Sequence, residues 1–587
     1  MIEPGPPPAT PHDGPPAAAR PAWRGAAVAA AIVLAMFCAF SAVRSPVPGV
    51  NEPHFLAKAK RYWDPAWCPG DFYLDSANAH QVFFQAMGLV AQVLPLDATA
   101  WVGRVAALAL LAGGWTALVR RLLQGAWAAV WTGAVFLFFA ALGNLSGEWL
   151  VGGVEAKVFS YAFVFFALAM LIGRRWIAAG ASGGLAIALH PVVGMWSALA
   201  AFFALAVELG VGRIANTSAA VGQAFQPARE PSCADTGRAD KDVCPTNIGR
   251  IGDPSYGRSI RVALGVALLV LFSLPGLWPA LAMLGEDDEP LRRAAGYIQV
   301  GHRLAHHLDP LTFPPWSWLG YAALTAVWIA GWWWGVFRSE KRVFAWFVLA
   351  ALVFALGGLA IGLRAEPLGQ TPFAELSPLD FLRIRLLRFY PFRLYDALAP
   401  LAAAVAVVGL TEWTLSRIRG AQGPPRRVWP VAKGVAIGAI FLTALALPAA
   451  DRNPSRYSER RMADWREMCR WIDAETPADA EFVTPDESWA FHWYAERAEY
   501  VSYKNCPQDA PGIVEWNRRI QAIHDWATRR YDDRRYDLED LRALRAATGA
   551  AYLLADRLGP MTVAPVHANG SYRLYRLDGL LADKTPQ

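Results

Sequence analysis

Long apolar runs separated by short charged connections fill the first 450 residues, and shorter runs of mixed period fill the remainder. A helix that crosses a bilayer needs about 20 largely apolar residues. Runs near 25–43, 99–119, 126–143, 156–173, 176–189, 192–210, 261–284, 316–337, 343–363, 394–414 and 430–449 meet or approach that length. They predict an α-helical multi-pass membrane protein with about eleven transmembrane helices. If these helices alternate in direction, Arg120-Arg121, Arg174-Arg175, Arg338 with Lys341-Arg342, and the connection from Arg417 to Lys433 all fall on one side. The excess of Lys and Arg in short cytoplasmic loops makes that side cytoplasmic. The N-terminus is then inside, while loops 44–98, 144–155, 285–315 and 364–393 and the C-terminus are outside.

Three stretches break the apolar pattern. Residues 1–24, with Pro6-Pro-Pro and Pro15-Pro16, read as a disordered cytoplasmic tail that precedes a membrane domain over 25–450. The cytoplasmic stretch 212–260 is polar and aperiodic and reads as a disordered insertion. From 451 to 587 the composition turns polar and no span remains. There a Trp465/Met468/Trp471/Ile472 helix face and the helical spacing from Leu538 to Ala547 alternate with strand-like Glu481-Phe-Val-Thr, Glu499-Tyr-Val-Ser-Tyr, Ala551-Tyr-Leu-Leu-Ala and Tyr572-Arg-Leu-Tyr-Arg-Leu. That alternation predicts a small extracytoplasmic α/β domain.

Composition agrees with a membrane protein. The 587 residues are 55% hydrophobic and 18% charged, with a mean hydropathy of +0.24, a balance foreign to soluble globular chains. Fifty-five basic against 49 acidic residues give +6 with no concentrated basic stripe, so nucleic acid is excluded as a partner. Many of the 26 tryptophans end apolar runs, where amphipathic rings prefer the headgroup layer. Six cysteines show no CxxC spacing. Cys469 and Cys506 stand either as a disulfide in an oxidising compartment or as two free thiols. Nothing in the sequence fixes the oligomeric state.

The outer loops are long and chemically varied, whereas the inner ones are mostly short basic stops, so candidate chemistry collects outside. Asn51-Glu52-Pro53-His54-Phe55-Leu56 follows the first span directly, and an ionisable group at a membrane edge is a site hypothesis by default. The competing reading is a loop that merely ends a helix. Further along, Asp64, Asp71, Asp75 and His80 interleave with Tyr62, Trp63, Trp67 and Tyr73. Aromatic faces stack on pyranose rings and carboxylates accept hydroxyl protons, a pairing that suits a sugar. Loop 144–155 adds Glu148 and Glu155, with Lys157 opening the next helix. Residues two apart do not share a helix face, so a local Glu155–Lys157 pair is not expected. His190-Pro191 lies in a tight outer hairpin, as a helix cap or facing a cavity.

In Gly301-His-Arg-Leu-Ala-His-His-Leu-Asp-Pro, His302, His306 and Asp309 fall on one face of a helix. They are the candidates for a divalent metal, although the HExxH glutamate is missing and phosphate or sugar binding is the stronger reading. Arg383, Arg385, Arg388 and Arg393 run against the positive-inside trend on the outer side. The planar guanidinium binds phosphate bidentately, which fits a lipid-linked phosphate at headgroup level; simple attraction to anionic lipid is the alternative.

Taken together, these features resemble the GT-C superfamily of polyprenyl-phosphate-dependent membrane glycosyltransferases, and the resemblance covers most of the chain. Asn51-Glu52-Pro53-His54-Phe55 is similar to the Asp-Glu-x-His-Phe element that opens the first outer loop in protein mannosyltransferases. Asn51 departs from the family's first acid, which shifts the base role to Glu52 with Asp71 or Asp75 as a second acid. The HHLDP and Tyr-Pro-Phe-Arg elements also resemble large bacterial multi-pass families of unknown function, which implies a bacterial inner (plasma) membrane location. The resemblance implies transfer of a sugar from a polyprenyl-phosphate carrier to an acceptor at the outer face. Glu52 would act as base, Arg383–Arg393 would hold the carrier phosphate, and His54, Glu148, Glu155, His190, His302 and His306 would line the substrate. On this reading Glu52→Gln abolishes transfer without disturbing folding. Two other readings stand beside it: a transporter of lipid-linked substrates, and a non-catalytic membrane protein whose C-terminal Trp489, Trp493, Trp516 and Trp526 bind a partner.

Overall fold

The computed structural model describes residues 22–125, 127–224, 254–283, 288–420, 428–448, 457–485, 490–529 and 535–580. Cys233, Cys244 and Trp489 lie outside them, as do most of the N-terminal tail and residues 225–253 of the insertion.

In chain order the helical part runs α1 Ala22–Arg44, α2 Glu52–Trp63, α3 Gln81–Val93, α4 Leu96–Leu122, α5 Ala128–Leu142, α6 Ala156–Ile172, α7 Trp176–Leu189, α8 Pro191–Ala224, α9 Pro254–Ala282 and α10 Glu289–Tyr297. A π-helical turn at Ile298–Arg303 leads into α11 Ala305–Leu308, α12 Pro315–Trp333, α13 Arg342–Gly362, α14 Pro378–Leu387, α15 Arg393–Gly420 and α16 Val428–Ala446. Each expected apolar run is a helix. Among the described residues six helices are both long and apolar enough to cross a bilayer, lying in α1, α4, α8, α9, α13 and α15. Helices α5, α6 and α7 are apolar but shorter, with 15, 17 and 14 residues. For α5 and α6 the reason lies in their connection, which folds back into the bundle and is buried almost throughout from Leu145 to Val154. Irregular backbone is tolerated there because protein rather than lipid surrounds it.

The polar insertion expected to be disordered is helical at both ends, since α8 continues to Ala224 and α9 starts at Pro254. Extending an existing helix avoids the cost of a new nucleus, so polar residues join one that they would not start.

Helix α15 is the centre of the bundle and is largely buried, whereas α9 is mostly exposed to its surroundings. Around α15 the core joins Trp115, Tyr161, Phe165, Trp328, Phe344 and Leu398. Two amphipathic helices absent from the expected spans, α2 and α3, fill loop 44–98 and pack on each other and on α4.

The C-terminal part has one core of its own, a second that takes in Ala295 and Ile298 of the preceding part, and, among the described residues, one sheet. It contains α17 Glu459–Glu475, β1 Glu481–Val483, α18 Phe491–Ala495, β2 Ala498–Glu499, α19 Ala510–Arg529, α20 Leu538–Thr548, β3 Tyr552–Ala555, β4 His567–Ala568 and β5 Arg573–Arg576. Strand order is β2-β1-β3-β5-β4, with β1 parallel to β2 and β3, and β5 antiparallel to β3 and β4. Asp537 and Asp540 form a reciprocal cap at the start of α20, and Gly549 ends it at φ +75°. Trp493, Trp516 and Trp526 are buried, so they serve the core and present no surface for a partner. Cys38, Cys68, Cys469 and Cys506 are free thiols, which removes the Cys469–Cys506 disulfide.

Candidate functional site

The site forms where the buried loop before α6 meets the start of α15. Asp396, one turn into α15, accepts the backbone N–H groups of Leu145, Ser146 and Glu148 at 2.7, 2.8 and 2.9 Å. The Ser146 hydroxyl at 3.0 Å and the Tyr321 hydroxyl complete the set. A buried carboxylate satisfied by five donors works as a rigid clamp, and this one fixes the loop against the helix. Gly147 makes the turn at φ +81°, where a Cβ would lie 2.2 Å from the His307 ring, so only glycine fits.

Held in this way, the Glu148 side chain meets Arg393, three residues before Asp396 on the same helix, with Nε to Oε2 at 3.0 Å. Lys157 lies 3.7 Å from Glu148 and 3.2 Å from Glu155. The Glu155–Lys157 pair, not expected from sequence, forms because Glu155 is the extended residue that precedes α6 (φ −144°, ψ 156°), so helix spacing does not apply to it. The Asn51 amide donates to Glu155 Oε1 at 2.6 Å. Arg393 also donates toward His190 Nε2 at 3.3 Å and lies over the Tyr390 ring at 4.0 Å. The Val193 N–H faces the other ring nitrogen, Nδ1, at 3.3 Å, and because a neutral imidazole has one acceptor nitrogen, the tautomer decides whether His190 caps α8 or accepts from Arg393. The His80 ring lies 4.6 Å from that of His190.

Charge in this buried cluster is unevenly satisfied. Burial pushes the Glu148 carboxyl above the usual carboxylate range, with Arg393 and Lys157 pulling it back and Asp396 and Glu155 adding to the rise. No donor reaches its buried Oε1 in good hydrogen-bond geometry, while the Tyr161 hydroxyl, which donates to the Arg393 carbonyl at 3.2 Å, interacts with the same carboxylate. Burial lowers His80 to about 4, with Arg393 next in effect, so the ring is neutral at ordinary pH; its Nδ1 also has no partner. Basic groups stand beside the cluster, the charge of Lys58 acting on His80 and that of Arg303 on Tyr390. Lys58, whose ammonium donates to the Tyr73 carbonyl and the Ser76 hydroxyl, is lowered to about 7, chiefly by burial. Arg303 donates to the Lys504 carbonyl at 2.9 Å and keeps a buried Nε without a partner. Burial holds His54 well below the usual histidine range, with Lys504, Lys58 and Arg303 adding to the effect; its Nδ1 lies 3.2 Å from Asn505 Oδ1.

Several sequence candidates lie elsewhere. Glu52 is fully buried and forms a two-pronged pair with Arg104 of α4, Nε to Oε1 and Nη2 to Oε2 both at 2.6 Å. Gly49 and Val154 donate their N–H groups to the same two oxygens at 2.6 and 2.7 Å. A carboxylate offers about four lone-pair directions, and all four are occupied, so Glu52 has no capacity left to take a substrate proton. Gly153 is required here, since a Cβ would meet Glu52 Cγ at 2.9 Å.

Asp71 is buried against His492 and accepts from the N–H of Glu499 and Leu74, which docks loop 44–98 onto the C-terminal domain. Asp75 pairs with Arg61 at 2.8 Å on the surface. Asp309 is fully buried and tied to Arg364, with the Leu368 N–H at 2.9 Å and the Leu311 N–H at 3.1 Å. It therefore does not face His302, which packs on Tyr297, or His306, which packs on His307. Among the described residues no group of three His, Cys, Asp or Glu side chains converges as metal ligands would. Arg383 is engaged by Asp380 and the Ile361 and Leu363 carbonyls. Arg385 and Arg388 line a different pocket with α10.

Sequence reasoning passed over Arg104 and Asp396. The signal was present, because each is an ionisable residue inside or at the edge of an apolar run.

A family model described as a domain of unknown function, DUF6798, matches residues 463–523, from α17 into α19. No curated protein matches the chain. Among solved structures, the crystal structure of ArnT from Cupriavidus metallidurans bound to undecaprenyl phosphate aligns at 13% identity. The alignment covers 96% of this chain and 100% of that chain, with a TM-score of 0.47.

Proposed function

We propose that this buried cluster around Glu148 is the centre of an inverting sugar transferase that uses a polyprenyl-phosphate-linked donor at the outer face of the membrane. The observation that carries this reading is Glu148, a buried carboxyl with a raised pKa and one oxygen that no donor reaches in good geometry, held rigidly by Asp396 beside Arg393 and Lys157. A general base works best with a pKa near the operating pH, and burial moves Glu148 in that direction. Glu148 takes the proton of the acceptor hydroxyl as its oxygen bonds to the anomeric carbon. The bond from that carbon to the phosphate oxygen breaks, and polyprenyl phosphate leaves with inversion at carbon.

Lys58 and Arg303 supply positive charge for the phosphate. Asn51 fits the same scheme. An aspartate there would oppose Glu155, whereas the amide donates to it. The test uses purified membranes with a labelled polyprenyl-phosphate sugar. Glu148→Gln lowers transfer by about 10²–10⁴-fold, the range of a lost general base, with unchanged membrane insertion and with transfer measured below its unfolding transition, because the variant also takes a carboxylate partner from Arg393 and Lys157. Normal turnover by that variant would sink the assignment. Movement of the intact donor across sealed vesicles, without sugar transfer, would favour a transporter.

A further inference from the structure

The cluster Arg383–Arg393, read from sequence as one phosphate clamp, is divided by the fold. Arg393 pairs with Glu148, while Arg385 and Arg388 join Arg292 and Arg293 of α10 around a cavity of about 250 Å³. Glu289 is the acidic group of its lining, and it already pairs with Arg292 and Arg293 at 3.0 and 2.9 Å. Four guanidinium groups against one carboxylate leave a formal +3. No ion pair engages Arg385 or Arg388 among the described residues. Burial lowers the Arg388 pKa, and the like charges of Arg385 and Arg292 lower it further, as expected of cations gathered without counter-charge.

The same helix presents an unpartnered apolar edge. Leu379, Leu382, Leu386 and Phe389 are 41–54% exposed. The first three recur at i, i+3 and i+7 and so share one side of α14. Phe389, just beyond the helix, also lines the cavity, so apolar edge and cationic pocket are continuous. Helix α14 lies 15 residues after the end of α13 and 5 before the start of α15, both membrane helices, so the chain keeps it at the membrane boundary.

From this continuity we infer that the Arg292/Arg293/Arg385/Arg388 pocket seats the phosphate of an anionic phospholipid, whose acyl chains run along the exposed side of α14. Guanidinium groups pair with phosphate oxygens in two-pronged geometry, and the apolar edge supplies what a soluble anion would not need. This site is separate from the Glu148 cluster and does not depend on its chemistry.

Native mass spectrometry of the delipidated full-length protein, titrated with phosphatidylglycerol or with uncharged diacylglycerol, tests it. Phosphatidylglycerol should bind in preference, and Arg385→Gln with Arg388→Gln should weaken it by about 30-fold, at roughly fivefold per arginine near the headgroups. Arg385→Lys with Arg388→Lys should retain most of the binding, which guards against a fold defect. Leu382→Gln with Leu386→Gln should weaken phosphatidylglycerol while sparing inorganic phosphate. Binding in Glu148→Gln should match wild type, whatever becomes of the transferase reading. Equal binding of both lipids, or inorganic phosphate that displaces phosphatidylglycerol and loses affinity equally in the leucine variant, overturns the proposal.

Discussion

Glu52→Gln separates a catalytic role from a structural one. In the folded protein four donors converge on its two oxygens: Arg104 Nε and the Val154 N–H on one, Arg104 Nη2 and the Gly49 N–H on the other. Glutamine keeps one acceptor oxygen and turns the other position into an N–H₂ donor, so two of the four contacts become donor against donor. Arg104, 1% exposed, keeps its bonds to the Ser45 carbonyl and Ser41 hydroxyl but loses its counter-charge. Removing one partner of a buried pair costs about 3–5 kcal/mol, because an uncompensated charge stays behind. A change that removes the charge from both sides, Glu52→Gln with Arg104→Met, should recover most of that loss. The assay is thermal unfolding of detergent-solubilised protein followed by tryptophan fluorescence at one fixed scan rate, with sugar transfer measured on the same samples below the transition. The single variant should unfold several degrees earlier, and the double variant should approach wild type with partial recovery of transfer. An unchanged midpoint in Glu52→Gln together with abolished transfer would return the base role to Glu52 and refute the structural reading.

The remaining predictions concern pH and domain contact. Glu148 must be deprotonated to act as base, and its pKa is raised, so kcat/KM should rise with pH through that raised value. Lys58 must be protonated to meet a phosphate and sits at about 7, so the profile should fall above neutrality. Lys58→Arg should carry the falling limb to higher pH, and an unmoved limb would exclude Lys58 from phosphate binding. The Asp71–His492 contact should make docking of the C-terminal domain pH-dependent, because Asp71 is held below its ordinary 3.8, with burial opposing the His492 charge and hydrogen bonds, and His492 is raised above its ordinary 6.5 despite burial. The Asp71 contribution is present above 3.8 and fades as pH falls through its lower folded value. The His492 contribution is present below 6.5 and fades as pH rises through its higher folded value. Protection of the amides around α18 and β2, taken as the observed exchange rate relative to the intrinsic rate at each pH, should therefore be greatest at mildly acidic pH. In Asp71→Asn the protection should be weaker and nearly flat with pH, and a retained pH dependence would place the linkage elsewhere.

The candidate site was partly legible, for reasons that particular residues show. Glu148, Glu155, His190 and Arg393 were all nominated from sequence, and the fold brings them together with Asn51 and Lys157. They were legible because polar groups at the ends of apolar runs are conspicuous. Glu52 was nominated on the same ground, Asp71 and Asp75 as carboxylates among aromatics and Asp309 by its spacing from His302 and His306, yet each is paired elsewhere, by Arg104, His492, Arg61 and Arg364. Those partners lie between 14 and 421 residues distant, and no local period marks such a pairing.

By itself, the sequence determined the helices of the membrane domain and the alternating elements of the C-terminal domain. Apolar length and period act locally, and a bilayer leaves the backbone few alternatives to helix. Tertiary structure decided which of the chemically similar carboxylates and arginines are spent on holding the fold and which stay available. That choice depends on burial and on the count of donors around each group, quantities that exist only once distant segments meet. Arg385, Arg388 and Arg393 make the point within eight residues: a single helix junction sends one to Glu148 and two to a pocket.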